Sequence, residues 1–399
     1  MSYDAVVVGG GLAGSALADQ LARSGHRVLV LERETKFKDR VRGENMLPWG
    51  VSAARRLGIL DDLVAAGGNA APHWRFQAMG HADPDRDLRI TTPGGDTMLN
   101  MFHPHLQETL LARAIASGAE VLRGATVLSL DAVAGTSPSV TFEHNGATQT
   151  VSGRIVVGAD GRASQMRSWA GFEVRRNPDL LTIAGMLIEG TNIPDDGAYL
   201  CMGPGIATFW APLGNKRSRT YFVYPGVAGR RGLSGKNKVA DFLQAVQSVG
   251  IPQEWLDGAE SGGPLAEFEG ADKWVPSPAK NGVVLIGDAA ASSDPSWGSG
   301  LSLTLLDVEH LANALRSNKD WNAALEQYAS EHDQYYGALH RILDWMTQLA
   351  WTPGPEANDR RGRVGARLAQ DPTGFPDLIG LGPFGPSDER ARRLILGLD

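Results

Sequence analysis

Three glycine-rich turns constrain the fold of this 399-residue chain more than any other feature. They lie at positions 9–14, 158–161 and 287–290, and a short apolar run precedes each of them. An apolar run that ends in glycine is typical of a buried parallel strand followed by a tight turn. Because the three turns share this pattern, we expect distant parts of the chain to contribute to one ligand pocket.

The first turn lies within a strand–helix–strand pattern. In this βαβ order, Gly9 makes the tight turn, Gly11 lets the backbone approach a pyrophosphate, and Gly14 lets the helix pack closely on the strand. The free N–H groups and the dipole of the helix N-terminus attract the phosphates. Glu32 ends the second strand, where a carboxylate accepts hydrogen bonds from ribose hydroxyls and repels a 2′-phosphate. The pattern predicts a dinucleotide site that disfavours NADP.

Further motifs distinguish FAD from NAD. Arg40-Val41-Arg42-Gly43-Glu44 follows the second strand, and Asp160-Gly161 continues to Ser164 and Arg167. The third turn, Gly287-Asp288, precedes a Pro-x-x-Gly-x-Gly loop, 295–300. Together these motifs resemble the FAD-dependent aromatic hydroxylase family, the class A flavoprotein monooxygenases. They are also similar to flavin-dependent halogenases and geranylgeranyl-reductase-like proteins. The resemblance runs from Met1 to about His332.

The resemblance implies roles in binding non-covalent FAD. In the family, an arginine at the position of Arg42 contacts FAD, the carboxylate of Asp288 holds the ribityl or ribose part, and the 295–300 loop passes beside the isoalloxazine ring. The N-terminus of a helix that begins near Gly300 would stabilise the reduced, anionic flavin. Many family members have asparagine where this chain has Ser302, and we expect the serine to cap the helix instead.

His103 falls where the family has Arg or Gln near FAD, with a plain surface histidine as the alternative. Val127 falls where the backbone of the family meets adenine. The residues expected to bind FAD are Gly9, Gly11, Ala13, Gly14, Glu32, Arg33, Arg42, His103, Val127, Asp160, Asp288, Pro295, Gly298, Gly300 and Leu301.

The predicted fold class is α/β, with a Rossmann-like FAD-binding domain interleaved with an antiparallel-sheet substrate domain and a C-terminal helical region. Asn145-Gly146 predicts a β-hairpin. Strand-like runs at 181–189, 199–202, 206–212 and 219–224 predict the antiparallel sheet, which the segment 72–101 would join. We expect the FAD-binding domain to comprise 1–71, 102–177 and 271–320, the substrate domain 72–101 and 178–270, and the C-terminal helical region and tail 321–399. We assign the tail no function.

The antiparallel sheet of the family covers the flavin ring and forms a mostly apolar substrate chamber. Candidate chamber residues are His73, Trp74, Phe76, Trp210, Tyr221, Phe222 and Trp297. Trp297 is the strongest candidate because its loop is already expected beside the flavin. Ordinary core packing is the alternative for each of them.

The resemblance implies a monooxygenase that hydroxylates or epoxidises an aromatic or polyketide- or alkaloid-like small molecule through a flavin C4a-hydroperoxide, with O₂ and NAD(P)H. No second dinucleotide-binding βαβ unit is apparent, so either NAD(P)H visits transiently or a separate flavin reductase supplies the electrons. No catalytic base is identified. Three alternatives stay open: a halogenase, a reductase or dehydrogenase of a lipid-like substrate, and a flavin-binding module without turnover. The halogenase signature Trp-x-Trp-x-Ile-Pro is missing, and 72–95 contains no lysine.

Composition narrows the partners and the location. The net charge of −7 argues against nucleic acid as a partner. Cys201 is the only cysteine, which excludes disulfides within the chain and argues against a Cys-based metal site. No stretch reaches the ~18 apolar residues of a membrane span, and no secretory signal is evident. We therefore expect a cytoplasmic enzyme with no integral membrane span and no metal.

Overall fold

The computed structural model describes residues 3–78, 81–178, 181–226, 233 and 235–398. An eight-stranded sheet forms its first layer. Five parallel strands lie in the order Val283–Leu285, Ala147–Gly158, Tyr3–Val8, Val28–Glu32 and Glu120–Arg123. Thr126–Asp131, Ser139–His144 and Ala279–Lys280 extend it with antiparallel pairings.

Apolar residues bury both faces of this sheet. Along the strand Tyr3–Val8, Ala5 and Val7 belong to one core cluster, and Val6 and Val8 belong to another. Because a parallel sheet must be covered on both sides, the central strands Tyr3–Val8, Val28–Glu32 and Val283–Leu285 are apolar at most positions. The predicted hairpin is confirmed: Asn145 and Gly146 connect its strands with φ angles of 52° and 75°.

A second, nine-stranded sheet lies at the substrate side. Its strands follow the order Glu260–Ser261, Leu181–Glu189, Arg217–Pro225, Ile206–Gly214, Gly197–Gly203, His73–Ala78 and His81–Ala82. Ala266–Gly270 pairs with the second of these strands, and Arg86–Asp87 pairs with His73–Ala78. Two three-stranded sheets complete the β-structure: Arg175–Arg176 with Lys273–Trp274 and Ala291–Ser292, and Asn45–Met46 with Met98–Asn100 and Asn69–Ala71.

The segment 72–101 joins the nine-stranded sheet only in part. His73–Ala78 pairs with Gly197–Gly203, but in the parallel direction, so this sheet is not purely antiparallel. Met98–Asn100 instead pairs with Asn45–Met46 and Asn69–Ala71. The prediction that the whole segment 72–101 joins one antiparallel sheet is therefore wrong in two respects. The strand His73–Ala78 pairs in the parallel direction, and Met98–Asn100 lies in another sheet. The domain boundaries stay a prediction.

Eleven α-helices lie in the part of the chain just defined. They are Leu12–Arg23, Pro48–Arg56, Leu60–Ala65, Leu88–Thr91, His103–Ala116, Gln165–Trp169, Lys238–Gln247, Gly300–Ser317, Trp321–Trp351, Pro355–Gln370 and Glu389–Ile395. Short 3₁₀ turns lie at Gln253–Leu256, Gly287–Ala289, Pro295–Trp297 and Gly382–Phe384. Within the same residues, no helix combines the length and the apolar character that crossing a membrane requires.

The long C-terminal helix has clear end signals. The side chain of Asp320 accepts a hydrogen bond from the backbone N–H of Asn322 and so caps the helix that begins at Trp321. The helix ends before Pro353 and Gly354, and Gly354 has a φ of 105° that other residues rarely adopt. Its inner face packs on the helix Gly300–Ser317, which follows the third glycine turn.

Candidate cofactor and substrate site

The three glycine-rich turns meet at the carboxyl edge of the parallel sheet. Val8 pairs with Gly158, and Gly158 pairs with Leu285, so the three strand ends are neighbours. A Cβ atom on Gly9 would lie 2.4 Å from the carbonyl oxygen of Ala159, and one on Gly158 would lie 2.6 Å from Cδ2 of Leu285. Approaches this close need glycine. The turns therefore form one packed unit.

The glycines of the first turn have two different surroundings. A Cβ on Gly14 would lie 1.9 Å from the carbonyl oxygen of Gly9, so Gly14 serves the close packing of helix on strand. Among the described residues, a Cβ on Gly11 would lie within 4 Å of one atom, Nε2 of Gln107, at 3.5 Å. The open side of Gly11 faces a cavity. Sequence reasoning missed Gln107, which lines the same cavity from the helix His103–Ala116.

A continuous cavity of about 2100 Å³ begins at these turns. Nearly all residues proposed to bind FAD line it, from all three motifs: Gly9, Gly11, Ala13, Glu32, Arg33, Arg42, His103, Val127, Asp160, Asp288, Pro295, Gly298, Gly300 and Leu301. Gly14 does not line the cavity, because it packs against Gly9. Arg162 lines the cavity as well, although the motif pattern did not single it out.

Asp288 presents a carboxylate to the cavity that makes no hydrogen bond to any residue in the described ranges. Burial raises the pKa of this carboxyl, while the charges of Arg162, Arg42 and Arg167 oppose the shift. A half-buried carboxylate without a protein donor is suited to accept hydrogen bonds from hydroxyl groups of a ligand.

Glu32 and Asp160 also line the cavity, but both already hold backbone groups. The two carboxylate oxygens of Glu32 accept hydrogen bonds from the N–H groups of Gly10 and Glu34, each at 2.6 Å. Oδ2 of Asp160 accepts from Gln165 N–H at 2.7 Å, while its Oδ1 atom is buried without a partner. These carboxylates therefore shape the first and second turns.

The helix Gly300–Ser317 starts at the cavity wall, and no atom of the described residues lies within 4 Å of a Cβ placed on Gly300. Its first N–H groups and its positive dipole end are therefore accessible to an anionic group. The prediction that Ser302 caps this helix is wrong. Ser302 is fully buried, and its Oγ atom accepts a hydrogen bond from the backbone N–H of Leu47 at 2.9 Å.

His103 lines the cavity as a neutral imidazole. Its Nδ1 atom donates to the carbonyl oxygen of Gly43 at 2.9 Å, and its backbone N–H donates to a carboxylate oxygen of Glu44, also at 2.9 Å. Burial lowers the pKa of His103 to about 4, and the nearby positive charges of Arg42 and Arg219 add to the effect. With Nδ1 protonated, Nε2 is left as an acceptor.

Beyond the turns, the cavity widens into an apolar chamber under one face of the nine-stranded sheet. Its lining includes Trp74, Phe76, Leu200, Met202, Phe209, Tyr221, Val223, Phe268, Trp297, Met346, Leu349 and Trp351. The hydroxyl of Tyr221 donates to the carbonyl oxygen of Arg42 at 2.7 Å, and the indole N–H of Trp297 donates to Oγ1 of Thr347 at 2.8 Å. These bonds tie the chamber wall to the loop that carries Arg42 and to the long helix.

Three proposed chamber residues, Trp210, Phe222 and His73, do not line the cavity. Trp210 is fully buried on the opposite face of the sheet, with its ring centroid 5.7 Å from that of Trp255. Phe222 belongs to the same outer cluster, which packs on the helix Lys238–Gln247. His73 lies beside Asp85, 3.0 Å from its carboxylate, and does not line the cavity. Since side chains alternate across a strand, Tyr221 and Phe222 could never have shared a face.

Comparison with known proteins identifies the family. Residues 2–340 match the family model described as an FAD binding domain. The chain belongs to this family. FAD is therefore its cofactor, and the protein is an FAD-dependent oxidoreductase. The resemblance to flavoprotein monooxygenases and reductase-like proteins noted from the sequence is confirmed.

Individual relatives agree with this assignment. The FAD-dependent oxidoreductase is 29% identical over 315 residues to digeranylgeranylglycerophospholipid reductase 1 of Methanococcoides burtonii, covering 75% of this chain and 71% of the relative. It is 28% identical over 365 residues to a putative 2-heptyl-3-hydroxy-4(1H)-quinolone synthase, AqdB1, of Rhodococcus erythropolis, covering 88% and 89%. The crystal structure of p-nitrophenol 4-monooxygenase PnpA from Pseudomonas putida DLL-E4 matches with a TM-score of 0.80 at 19% identity, covering 93% and 94%. This likeness confirms the predicted fold class.

The described residues of the oxidoreductase fit FAD. The open side of Gly11 and the N-terminus of the helix Leu12–Arg23 would hold the pyrophosphate. The free carboxylate of Asp288 would accept from ribityl hydroxyls, and Glu32 would accept from the adenosine ribose. Bound FAD supplies the redox chemistry. The contact of each residue with FAD stays a prediction.

The C-terminal part of the oxidoreductase forms the far wall of the chamber. One face of the helix Pro355–Gln370 lines it with Arg361, Val364, Gly365 and Leu368. The guanidinium of Arg361 donates to three carbonyl oxygens at the end of the long helix, those of Leu349, Ala350 and Thr352. The arginines of the tail were expected to be solvated charge without a function, but the tertiary fold places Arg361 against the chamber.

Proposed function

We propose that the protein is a monooxygenase that transfers one oxygen atom of O₂ to an uncharged, apolar and preferably aromatic small molecule. One observation carries the proposal: a single cavity connects the FAD turns to an aromatic-lined chamber under the nine-stranded sheet. Ligand sites are mostly apolar concavities with a few polar anchors. A substrate in this chamber would lie next to the loop of Pro295 and Trp297.

The chamber favours positioning over acid–base chemistry. The twelve chamber residues named above carry no carboxylate, and Asp83, which also lines the cavity, is exposed. Burial raises the pKa of Tyr221 far above its usual range, and its proton is donated to the carbonyl oxygen of Arg42. The protein would therefore orient an electron-rich substrate and exclude water, without removing a proton from it.

Cationic side chains beside the cavity suggest where an electron donor docks. Arg162 lines the cavity, and Arg167 is 2% exposed, with no hydrogen-bond partner for its Nη1 atom among the residues that the structure describes. Burial lowers the pKa of Lys273, and the charges of Arg167, Arg176 and Arg162 lower it further. Such a cluster suits the phosphates of NAD(P)H. The described strands contain one dinucleotide-binding βαβ unit, so we propose a transient visit by NAD(P)H, or electrons from a separate reductase.

The test begins with the purified, FAD-loaded protein. It is reduced anaerobically with NADH, NADPH or a flavin reductase and then mixed with O₂ and a panel of apolar aromatic compounds. We expect one compound to raise NAD(P)H consumption and to gain one oxygen atom from ¹⁸O₂, measured by mass spectrometry. A yellow protein that no donor reduces would instead be a flavin-binding module.

A reductase that saturates a lipid-like substrate is the second candidate. The identity to the Methanococcoides burtonii reductase and the size of the apolar chamber favour it. Anaerobic turnover separates the two functions: reduced enzyme that adds two hydrogens to a prenyl chain without O₂ would contradict the monooxygenase proposal. Incorporation of bromide or chloride would support a halogenase. The one lysine among the described cavity residues, Lys38, is exposed and lies outside the apolar chamber.

A further inference from the structure

A buried carboxylate behind the third glycine turn has no part in the cavity lining. Asp307 lies in the helix Gly300–Ser317 and is fully buried. Its Oδ2 atom accepts a hydrogen bond from the backbone N–H of Gly287 at 2.6 Å, and its Oδ1 atom accepts from the hydroxyl of Tyr335 at 2.6 Å. Gly287 directly precedes Asp288, whose carboxylate faces the cavity.

The turn at Gly287 depends on this acceptor. Gly287 has a φ of 59°, and a Cβ there would lie 3.1 Å from Cβ of Ala13 and 3.2 Å from Oγ1 of Thr304. Its N–H points into the protein, where a donor without a partner costs free energy. Asp307 supplies the acceptor and thereby fixes the direction in which the next residue leaves the turn.

The long C-terminal helix holds Asp307 from behind. Tyr335 donates to Asp307, and Tyr328 donates to the carbonyl oxygen of Leu285 at 3.0 Å. His332 is fully buried between them, with its ring centroid 5.4 Å from that of Tyr335. One tyrosine of the long helix thus bonds the strand end that leads into the turn, and the other bonds the carboxylate that holds Gly287.

Burying the carboxylate of Asp307 costs desolvation free energy, so the hydrogen bonds that it makes must offset this cost. Burial raises the pKa of Asp307, whereas His332, the Tyr335 hydroxyl and the Gly287 N–H oppose this shift. A neutral side chain would avoid the cost of desolvating a carboxylate. The carboxylate accepts two short hydrogen bonds, one from Gly287 in the third glycine turn and one from Tyr335 in the long helix, and so joins the turn to that helix.

We propose that Asp307 is a positioning residue for FAD. It acts through Gly287 to aim the carboxylate of Asp288 into the cavity, and Tyr335 orients it. The inference goes beyond the proposed function, because it holds for any reaction that the bound FAD performs. It also assigns the long helix, which lies largely beyond the glycine motifs, a role in cofactor affinity.

The proposal is tested by measuring the Kd of the apoprotein for FAD from the quenching of flavin fluorescence. The thermal midpoint of each apo variant shows whether that variant folds. We expect Asp307→Ala to raise the Kd at least tenfold. Asp307→Asn keeps an acceptor for Gly287 and should restore most of the affinity. Glu309→Ala, on the same helix but paired with Arg56 at the surface, should leave the Kd unchanged.

A double-mutant cycle separates positioning from general stability. If Asp307 acts through Asp288, the variant D288A/D307A should bind FAD no more weakly than D288A alone. Independent, multiplicative losses in Kd would overturn the proposal, as would wild-type affinity in D307A. Should D307A fail to fold, Tyr335→Phe decides: a several-fold higher Kd supports the proposal, and an unchanged Kd contradicts it.

Discussion

The Oγ atom of Ser302 accepts a hydrogen bond from the backbone N–H of Leu47 at 2.9 Å, although the two residues are 255 positions apart. The bond joins the helix Gly300–Ser317, whose N-terminus faces the cavity, to the start of the helix Pro48–Arg56. A Cβ on Gly50 would lie only 2.6 Å from the Cα atom of Ser302. The two helices thus cross so closely that each has a small residue at the contact, Gly50 on one helix and Ser302 on the other. This contact fixes the position of the helix whose N-terminus forms one wall of the FAD site.

Gly50→Ala should destabilise this crossing. The added methyl group would overlap backbone atoms of Ser302, which cannot move as a flexible side chain would, so we expect a loss of about 2 kcal/mol or more in the free energy of unfolding. Gly362→Ala is the matched control in another helix, since no atom in the part of the chain that the structure describes lies within 4 Å of its added Cβ. It should be neutral or stabilising by up to about 1 kcal/mol. Urea unfolding of both variants measures the difference, and equal stabilities would contradict the packing argument.

Gly11 and Gly14 should respond differently to substitution. Gly11→Val places its side chain on the open side of the turn, so the apoprotein should keep its thermal midpoint and lose FAD. Gly14→Ala directs its Cβ to within 1.9 Å of the carbonyl oxygen of Gly9, so it should unfold or aggregate. Visible absorbance at constant protein concentration and thermal unfolding give the two readouts. A yellow, FAD-saturated G11V protein would argue against a pyrophosphate at this turn.

Asp272 should make stability depend on pH. Burial raises its pKa to about 7; the charges of Asp294 and Asp344 add to the shift, and Arg162 and the N–H of Asp294 oppose it. His340 faces it as well, with Nε2 3.9 Å from Oδ2. Because the folded state binds the proton more tightly than the unfolded state, the contribution is fully present below pH ~4 and is lost as pH rises to ~7.

The variant Asp272→Asn tests this dependence. Wild-type protein should lose about 3 kcal/mol from this group between pH 5 and pH 8, whereas the variant should lack that loss. Chemical denaturation at both pH values gives the comparison. Parallel pH profiles for the two proteins would show that Asp272 titrates normally.

Thr347→Val should loosen Trp297 without affecting FAD. Valine has nearly the same shape as threonine but offers no acceptor to the indole N–H, which now bonds Thr347 at 2.8 Å. If the monooxygenase proposal holds, the fraction of NAD(P)H oxidised to peroxide should rise several-fold, with unchanged FAD affinity. Thr109→Val serves as the control, because the hydroxyl of Thr109 donates to the carbonyl oxygen of His105 within its own helix, His103–Ala116. Unchanged coupling in T347V would mean that Trp297 does not order the substrate.

The amino-acid sequence alone predicted the FAD cradle because its signals are local. Each signal consists of an apolar run, a glycine that a tight turn or a close contact requires, and a helix pattern. All three parts can be recognised within about 30 residues of sequence. The parallel strands then had to be neighbours, and the turns at Gly9, Gly158 and Gly287 met as expected. Even there, Asp307 and Tyr335 were not assigned a role, since their importance depends on a contact with Gly287 across the fold.

The tertiary structure decided everything that depends on which side of an element faces the cavity. Alternation along the strand Arg217–Pro225 separates Tyr221 from Phe222, but only packing on the helix Lys238–Gln247 shows that Phe222 points away from the chamber. The same holds for Trp210. The helix Pro355–Gln370 carries no motif, so its role as a chamber wall follows only from where the long helix ends. Local patterns determine turns and periods, whereas the side of an element that faces the cavity is set by its contacts with other elements in the tertiary structure.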